Sequence, residues 1–397
     1  MRWDIFCQIV DNYGDAGVCW RLARALSRLS SSSVNNVECD DSRIRLFCDD
    51  LNVLNVIAHG DAVGHGASLG IEVLPWSAAE SPAILASVGD VVIEAFACHL
   101  PKPYVEAMVQ KTSQKVSVKQ PIWINLEYLT AEAWADEMHL MPSPQNNGLN
   151  KYFYFPGFTP KTGGVLLGDW DEVSSGGFAS GDIASRGVKS APPSLSLVLE
   201  SCRSRSKKVS VFHYKQAPLD VWLDSVNQAA LAHGEMVDVF LCADQNVSVD
   251  TQRSLSSVGS AVKLIQLPFI PQEDYDYLLS VCDINLVRGE DSFVRAQWAG
   301  KPFIWDIYPQ SDLAHEVKLN AFLERYFEGV PAEFRAIGMS AMKWGPASYW
   351  WPHLNAWTSH SEAWRQKLIG LGHLEGKILD FVKSQEISRW KLLKNSA

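Results

Sequence analysis

Nowhere in the chain do about 18 apolar residues follow one another, the length a helix needs to span a bilayer, so a helical membrane protein is not expected. The opening Met1-Arg-Trp-Asp-Ile-Phe-Cys7 interrupts its apolar run with charge, unlike a secretory leader, and a cytoplasmic location is the expectation. There is no Cys-x-x-Cys pair and no His partner at zinc-ligand spacing; the eight cysteines stand singly, which argues against a disulfide framework or a structural metal and for small apolar core residues. Basic residues are the scarcer charge. With 35 Lys and Arg against 45 Asp and Glu, the net charge is -10, which argues against a nonspecific nucleic-acid binder because phosphate neutralisation needs clustered cations. The single cluster, Arg203-Ser-Arg-Ser-Lys-Lys208, reads as a solvated linker. No Gly-x-Gly-x-x-Gly fingerprint and no repeat of solenoid length occur either.

What is present is ample apolar residue, 47% of 397, enough for two domains of roughly 150 to 200 residues each. Short β-rich runs alternate with helical patterns: 4–10, 43–48, 70–74, 90–96 and 122–126, then 209–214, 237–241, 262–267, 284–287 and 302–307. That rhythm predicts βαβ units and parallel sheets in two tandem α/β halves. Apolar spacing predicts helices over Gly17 to Leu29, from Gln272, from Ser292, around Leu319 to Tyr326 and over Lys377 to Leu393. The expected organisation is an N-terminal domain over 1–167, a Ser/Gly/Pro-rich linker over 168–208, a second domain over 209–376, and a terminal helix over 377–397 packing back on the first domain. Open parallel sheets bind ligands at the carboxyl ends of their strands, and two facing domains are expected to bring two such ends to one cleft.

Three constellations carry candidate chemistry. Asp11-Asn-Tyr13-Gly14-Asp15-Ala-Gly17 joins the first strand to its helix, and its paired carboxylates suit a general base or an anchor for a cationic acceptor. The competing reading is a turn whose Asp caps the helix. Asn285-Leu-Val-Arg288-Gly289-Glu290-Asp291-Ser292 passes from strand to helix, where Gly289 admits close backbone approach, Asp291 or Ser292 caps, and Arg288 adds a fork of donors for a diphosphate. Glu290 repels phosphate and points instead to a hydroxyl-rich neighbour; a capped helix with a local ion pair is the alternative. Phe212-His-Tyr214 and Phe269-Ile-Pro-Gln272 offer aromatic faces and an amide for a nucleobase, although aromatics at strand ends are commonly core. Two Asp-x-Asp triplets, Asp169-Trp-Asp171 and Asp274-Tyr-Asp276, fall on a linker and a helix and are not expected to hold a metal.

At Asp4-Ile-Phe-Cys7, Asp11-Asn-Tyr-Gly-Asp15, Trp123-Ile-Asn-Leu-Glu-Tyr128, Phe155-Pro-Gly-Phe-Thr159 with Thr162-Gly-Gly164, and Val287-Arg-Gly-Glu-Asp-Ser-Phe-Val-Arg-Ala-Gln-Trp-Ala-Gly-Lys-Pro302 with Ile307-Tyr-Pro-Gln310, the chain closely resembles the EarP family of protein-arginine rhamnosyltransferases. The resemblance implies a GT-B fold, two Rossmann-like domains facing across a central cleft. It implies dTDP-β-L-rhamnose as donor, no cofactor or metal, elongation factor P as acceptor, and inversion to an α-linked rhamnosyl-arginine. By resemblance Asp15, Asp11 and Glu290 are catalytic, while Tyr13, Gly14, Gly17, Phe212, Tyr214, Phe269, Gln272, Arg288, Gly289, Asp291 and Ser292 bind donor. The rival expectations are a GT-B transferase with a non-protein acceptor, or a non-catalytic nucleotide-sugar-binding partner of a translation factor.

Overall fold

The computed structural model describes residues 1–10, 13–32, 44–58, 60–113, 120–168, 170, 195–242, 247–309 and 313–395. The chain forms two units, Met1–Asp169 with Leu368–Ala397, and Trp170–Lys367. Most of the Ser/Gly/Pro-rich stretch, Asp11 and the 33–37 part of the Ser/Asn-rich tract lie outside the described residues. Among the described residues no helix is long and apolar enough to cross a membrane.

The first unit holds a seven-stranded sheet in the order β3-β2-β1-β4-β5-β7-β6. β1 (Trp3–Cys7), β2 (Ile44–Cys48), β4 (Val91–Ala95) and β5 (Ile122–Leu126) are buried along their whole length. Helices on both faces demand this, which is why these strands read as continuous apolar runs. β3 (Ile71–Pro75) pairs parallel with β2, and β7 (Asn150–Tyr154) parallel with β5. The edge strand β6 (Pro142–Pro144) pairs antiparallel with β7, and its two prolines are tolerated because an edge can leave ladder donors unused. The terminal helix Leu374–Asn395 buries Leu374, Ile378, Phe381 and Val382 in the same core as β1 and the Gly14–Ser32 helix. Its start is pinned where buried Glu375 accepts the N–H groups of Leu167 (3.3 Å) and Gly168 (3.0 Å).

The second unit is a five-stranded, wholly parallel sheet in the order β10-β9-β8-β11-β12: β8 (Lys207–Val211), β9 (Val237–Leu241), β10 (Val262–Gln266), β11 (Ile284–Arg288) and β12 (Phe303–Asp306). Both sheets are thus doubly wound, and the strand order reverses at β1/β4 in one and β8/β11 in the other. At such reversals neighbouring connections leave to opposite faces and open a crevice at the strands' carboxyl ends.

Two helix starts differ from expectation, and both differences bear on the site. The first helix begins at Gly14, three residues before the predicted Gly17, so Asp15 lies inside the first turn and is not its cap. The helix expected from Ser292 begins at Gly289, with Arg288 in extended conformation before it and Gly289 at φ 63°. Glycine adopts this left-handed value without the Cβ clash other residues meet. First turns carry few apolar residues, so periodicity detects them late. Likewise β8 ends at Val211, earlier than the predicted 214: Phe212 N–H still reaches Leu286 O (2.9 Å), but Tyr214 N–H leaves the ladder for Asp306.

Candidate active site

At the end of β1 the chain turns into the Gly14–Ser32 helix, whose first turn closes through Gly17 N–H on Tyr13 O (2.8 Å). Tyr13, Gly14 and Gly17 therefore shape this turn. Asp15 is only 2% exposed. Its Oδ2 accepts Val10 N–H (2.8 Å) and its Oδ1 accepts the Tyr128 hydroxyl (3.1 Å), so the carboxylate is held in one orientation by the loop before it and by the segment after β5. Asp11 falls outside the described residues.

In the second unit the ends of β8 and β11 build a cation seat. The Arg288 guanidinium lies 4.0 Å over the Phe212 ring and 5.1 Å over the Tyr214 ring, and donates to His213 O (2.9 Å). Planar, weakly hydrated guanidinium suits such ring faces, and the two contacts leave its remaining donors oriented. Ser292, from the first helical turn, accepts Arg288 N–H (3.1 Å) and donates its hydroxyl to Arg288 O. The Gly289 carbonyl accepts the Trp305 indole N–H (3.0 Å), and Trp305 in turn stacks on Phe293 at 3.7 Å, so β12 fixes where the Gly289–Ala299 helix starts. A helix start with an adjacent held guanidinium has the charge and the free N–H groups that suit an anion. Asp291 accepts the Gln272 amide (3.1 Å), tying the helix start to the Gln272–Val281 helix, while Phe269 stands 39% exposed three residues earlier. Glu290, the carboxylate that seemed out of place beside an anion, has Lys318 at 3.6 Å.

Thus Phe212, Tyr214, Gln272, Arg288, Gly289, Glu290, Asp291 and Ser292 meet around the β8/β11 reversal, and Tyr13, Gly14, Asp15 and Gly17 around the end of β1. Sequence reasoning missed several residues. Asp306 at the end of β12 accepts Tyr214 N–H (2.6 Å), and burial pushes its carboxyl up to about 6 although that bond and the Arg288 charge both pull it down. It read only as the tail of an apolar strand. Tyr214 and Asp306 also border a cavity of about 360 Å³ that Trp305, His315, Leu319 and Trp344 help to line. Tyr128 was visible as a motif residue without a role. Of the two Asp-x-Asp triplets, the aspartates of the first lie outside the described residues; Asp276 of the second is fully buried in a bidentate pair with Arg295 (2.8 and 2.9 Å). All seven cysteines among the described residues are free thiols.

Residues 3–383 match the family described as elongation factor P (EF-P) rhamnosyltransferase EarP. A protein-arginine rhamnosyltransferase of Pseudomonas putida is 40% identical over 380 residues, spanning 89% of this chain and 91% of its own. One of Pseudomonas aeruginosa is 39% identical and 83% of each chain is covered. Among solved structures, one from work on EarP-mediated arginine glycosylation of elongation factor EF-P is similar with a TM-score of 0.56 and 25% identity, covering 96% of this chain and 99% of that one. Two doubly wound sheets with this likeness make the fold GT-B, two Rossmann-like domains, as the sequence predicted. By a match over nearly its whole length, the chain belongs to the EF-P rhamnosyltransferase family EarP.

Proposed function

We propose that this chain transfers L-rhamnose from dTDP-β-L-rhamnose to a guanidino nitrogen of an arginine in elongation factor P, with inversion and without a metal ion. The observation that carries the reading is the held guanidinium of Arg288 over Phe212 and Tyr214 at the start of the Gly289–Ala299 helix, a seat for a diphosphate leaving group inside a chain of this family. Arginine is hard to make nucleophilic: its pKa lies above about 12 and its lone pair is delocalised. Asp15, helped by Asp11, pairs with the acceptor guanidinium, directs one nitrogen at the anomeric carbon, and takes a proton as the new C–N bond forms and the bond to the diphosphate breaks. Attack from the face away from the leaving group inverts the centre. Arg288 and the helix start neutralise the departing dTDP, while Glu290 orients the sugar or offsets the positive charge growing on it. Phe269 and Gln272 hold the thymine, and the cavity bordered by Tyr214 and Asp306, with rings and carboxyl in its wall, receives the sugar.

The test is to incubate the purified chain with dTDP-rhamnose and elongation factor P and weigh the acceptor. The expected result is a gain of one deoxyhexose mapping to an arginine, with an α anomeric signal by NMR. An acceptor of unchanged mass ends the proposal.

Asp306 makes a second expectation. Bound diphosphate raises the affinity of a nearby carboxyl for its proton, so donor binding and protonation of Asp306 favour each other. Donor affinity should therefore fall a few-fold as pH rises from about 6, and Asp306→Asn should flatten that fall. Calorimetry in buffers of different ionisation enthalpy reads it: proton uptake on donor binding near pH 6.5 in the parent chain, and none in the variant.

A further inference from the structure

Among the described residues of the first unit, the segment after β4 holds the densest run of left-handed backbone. Phe96, Ala97 and His99 all adopt left-handed φ, at 55°, 53° and 53°, although none is glycine. Such a backbone is unfavourable for a residue with a Cβ and persists only where its surroundings over-determine it. Here they do: Phe96 N–H donates to Leu126 O (2.7 Å), Cys98 N–H to Ala95 O (3.2 Å), and His99 N–H to buried Glu94 (3.1 Å). The consequence of this turn is the position of one ring. Phe96 stacks on Tyr128, centroids 4.3 Å apart and planes 13° from parallel, and the Tyr128 hydroxyl donates to Asp15. Tyr128 keeps 36% of its surface exposed, high for a ring so engaged.

Strained turn, stacked pair and carboxylate therefore form one structure at the β1/β4 reversal, where this sheet offers its crevice. A stacked aromatic pair presents an extended face of negative potential, and the Asp15 carboxylate stands at its rim. A planar cation satisfies both at once, lying on the ring while its edge N–H groups meet the carboxylate. A tetrahedral ammonium has no such flat face. We infer that the Phe96–Tyr128 pair is the seat of the acceptor's guanidinium, and that it selects arginine over lysine. This rests on the proposed transfer to arginine and adds to it the residues that recognise the acceptor.

The experiment is steady-state transfer to elongation factor P by the full chain carrying Phe96→Leu, Phe96→Tyr or Tyr128→Phe, with dTDP affinity measured alongside. Leucine keeps bulk and backbone preference while removing the π face. The expected result is an acceptor KM about tenfold higher for Phe96→Leu, with kcat and dTDP affinity within about twofold of the parent. Phe96→Tyr should recover most of that loss. Tyr128→Phe keeps the stacked pair and removes only the hydroxyl that Asp15 accepts, so its acceptor KM should rise far less than that of Phe96→Leu. An unchanged KM for Phe96→Leu overturns the inference and leaves the function standing, and so does a Phe96→Tyr as impaired as Phe96→Leu. If Phe96→Leu does not fold, Tyr128→Leu removes the other ring of the pair, and an unchanged acceptor KM in that variant overturns the inference instead. A parent chain that fails to modify elongation factor P overturns the inference and the function together.

Discussion

Replacing Asp15 by Asn is expected to cut the rate of rhamnosyl transfer by about 10²- to 10⁴-fold, the range for losing a positioned general base, while leaving dTDP affinity within about twofold. The substitution is close to isosteric, and the amide oxygen can still accept either Val10 N–H or the Tyr128 hydroxyl, the two bonds that orient Asp15. In the proposed mechanism, what disappears is the carboxylate that pairs with the acceptor and takes its proton. Because no donor contact is assigned to Asp15, the loss should fall on turnover. Single-turnover assays by mass spectrometry, with calorimetry for dTDP, separate the two quantities. Transfer at the parent rate would remove Asp15 from the mechanism, and a collapse of dTDP affinity would make it a donor residue.

For Arg288→Ala the pattern reverses. A hydrogen bond to a charged group is worth about 1.5 to 3 kcal/mol, so donor affinity should fall about 10- to 150-fold. Arg288 lies over Phe212 and Tyr214 and donates to His213 O, so its charge is held in place before any ligand arrives. Arg288→Lys should restore little of the loss, since an ammonium cannot lie flat on those rings or grip two phosphate oxygens as a fork. Removing the cation also frees Asp306 from the charge that lowers its pKa, so the pH at which donor affinity changes should rise in Arg288→Ala. Calorimetric titration with dTDP at several pH values reads both effects. An affinity within about twofold of the parent for Arg288→Ala would contradict the assignment.

Each of the two turns could be read because its residues are neighbours in the chain. Arg288 to Ser292 form one strand-to-helix turn, and Tyr13 to Gly17 another; local rules for glycine, helix starts and guanidinium chemistry act over such short spans. Even there the helix starts were placed three residues late, at Gly17 and Ser292 instead of Gly14 and Gly289, because a first turn exposes polar side chains and carries no periodicity. The edge pair β6 and β7 is absent from the predicted strands; β6 is three residues long with prolines at both ends, which only an edge position tolerates.

The amino-acid sequence by itself determined the alternation of buried strands and helices, the two Rossmann-like domains and the identity of the carboxylates and cation assigned chemistry. Its apolar runs and turn residues act over a few positions, and a fold of this class follows from their order. Only the tertiary structure decided that Asp306 holds Tyr214 from 92 residues away, that Lys318 faces Glu290, and that Phe96 and Tyr128 stack beside Asp15. Those contacts arise where separate strands end side by side in a sheet. Strand order, set by how whole elements pack, leaves no mark on the residues between them.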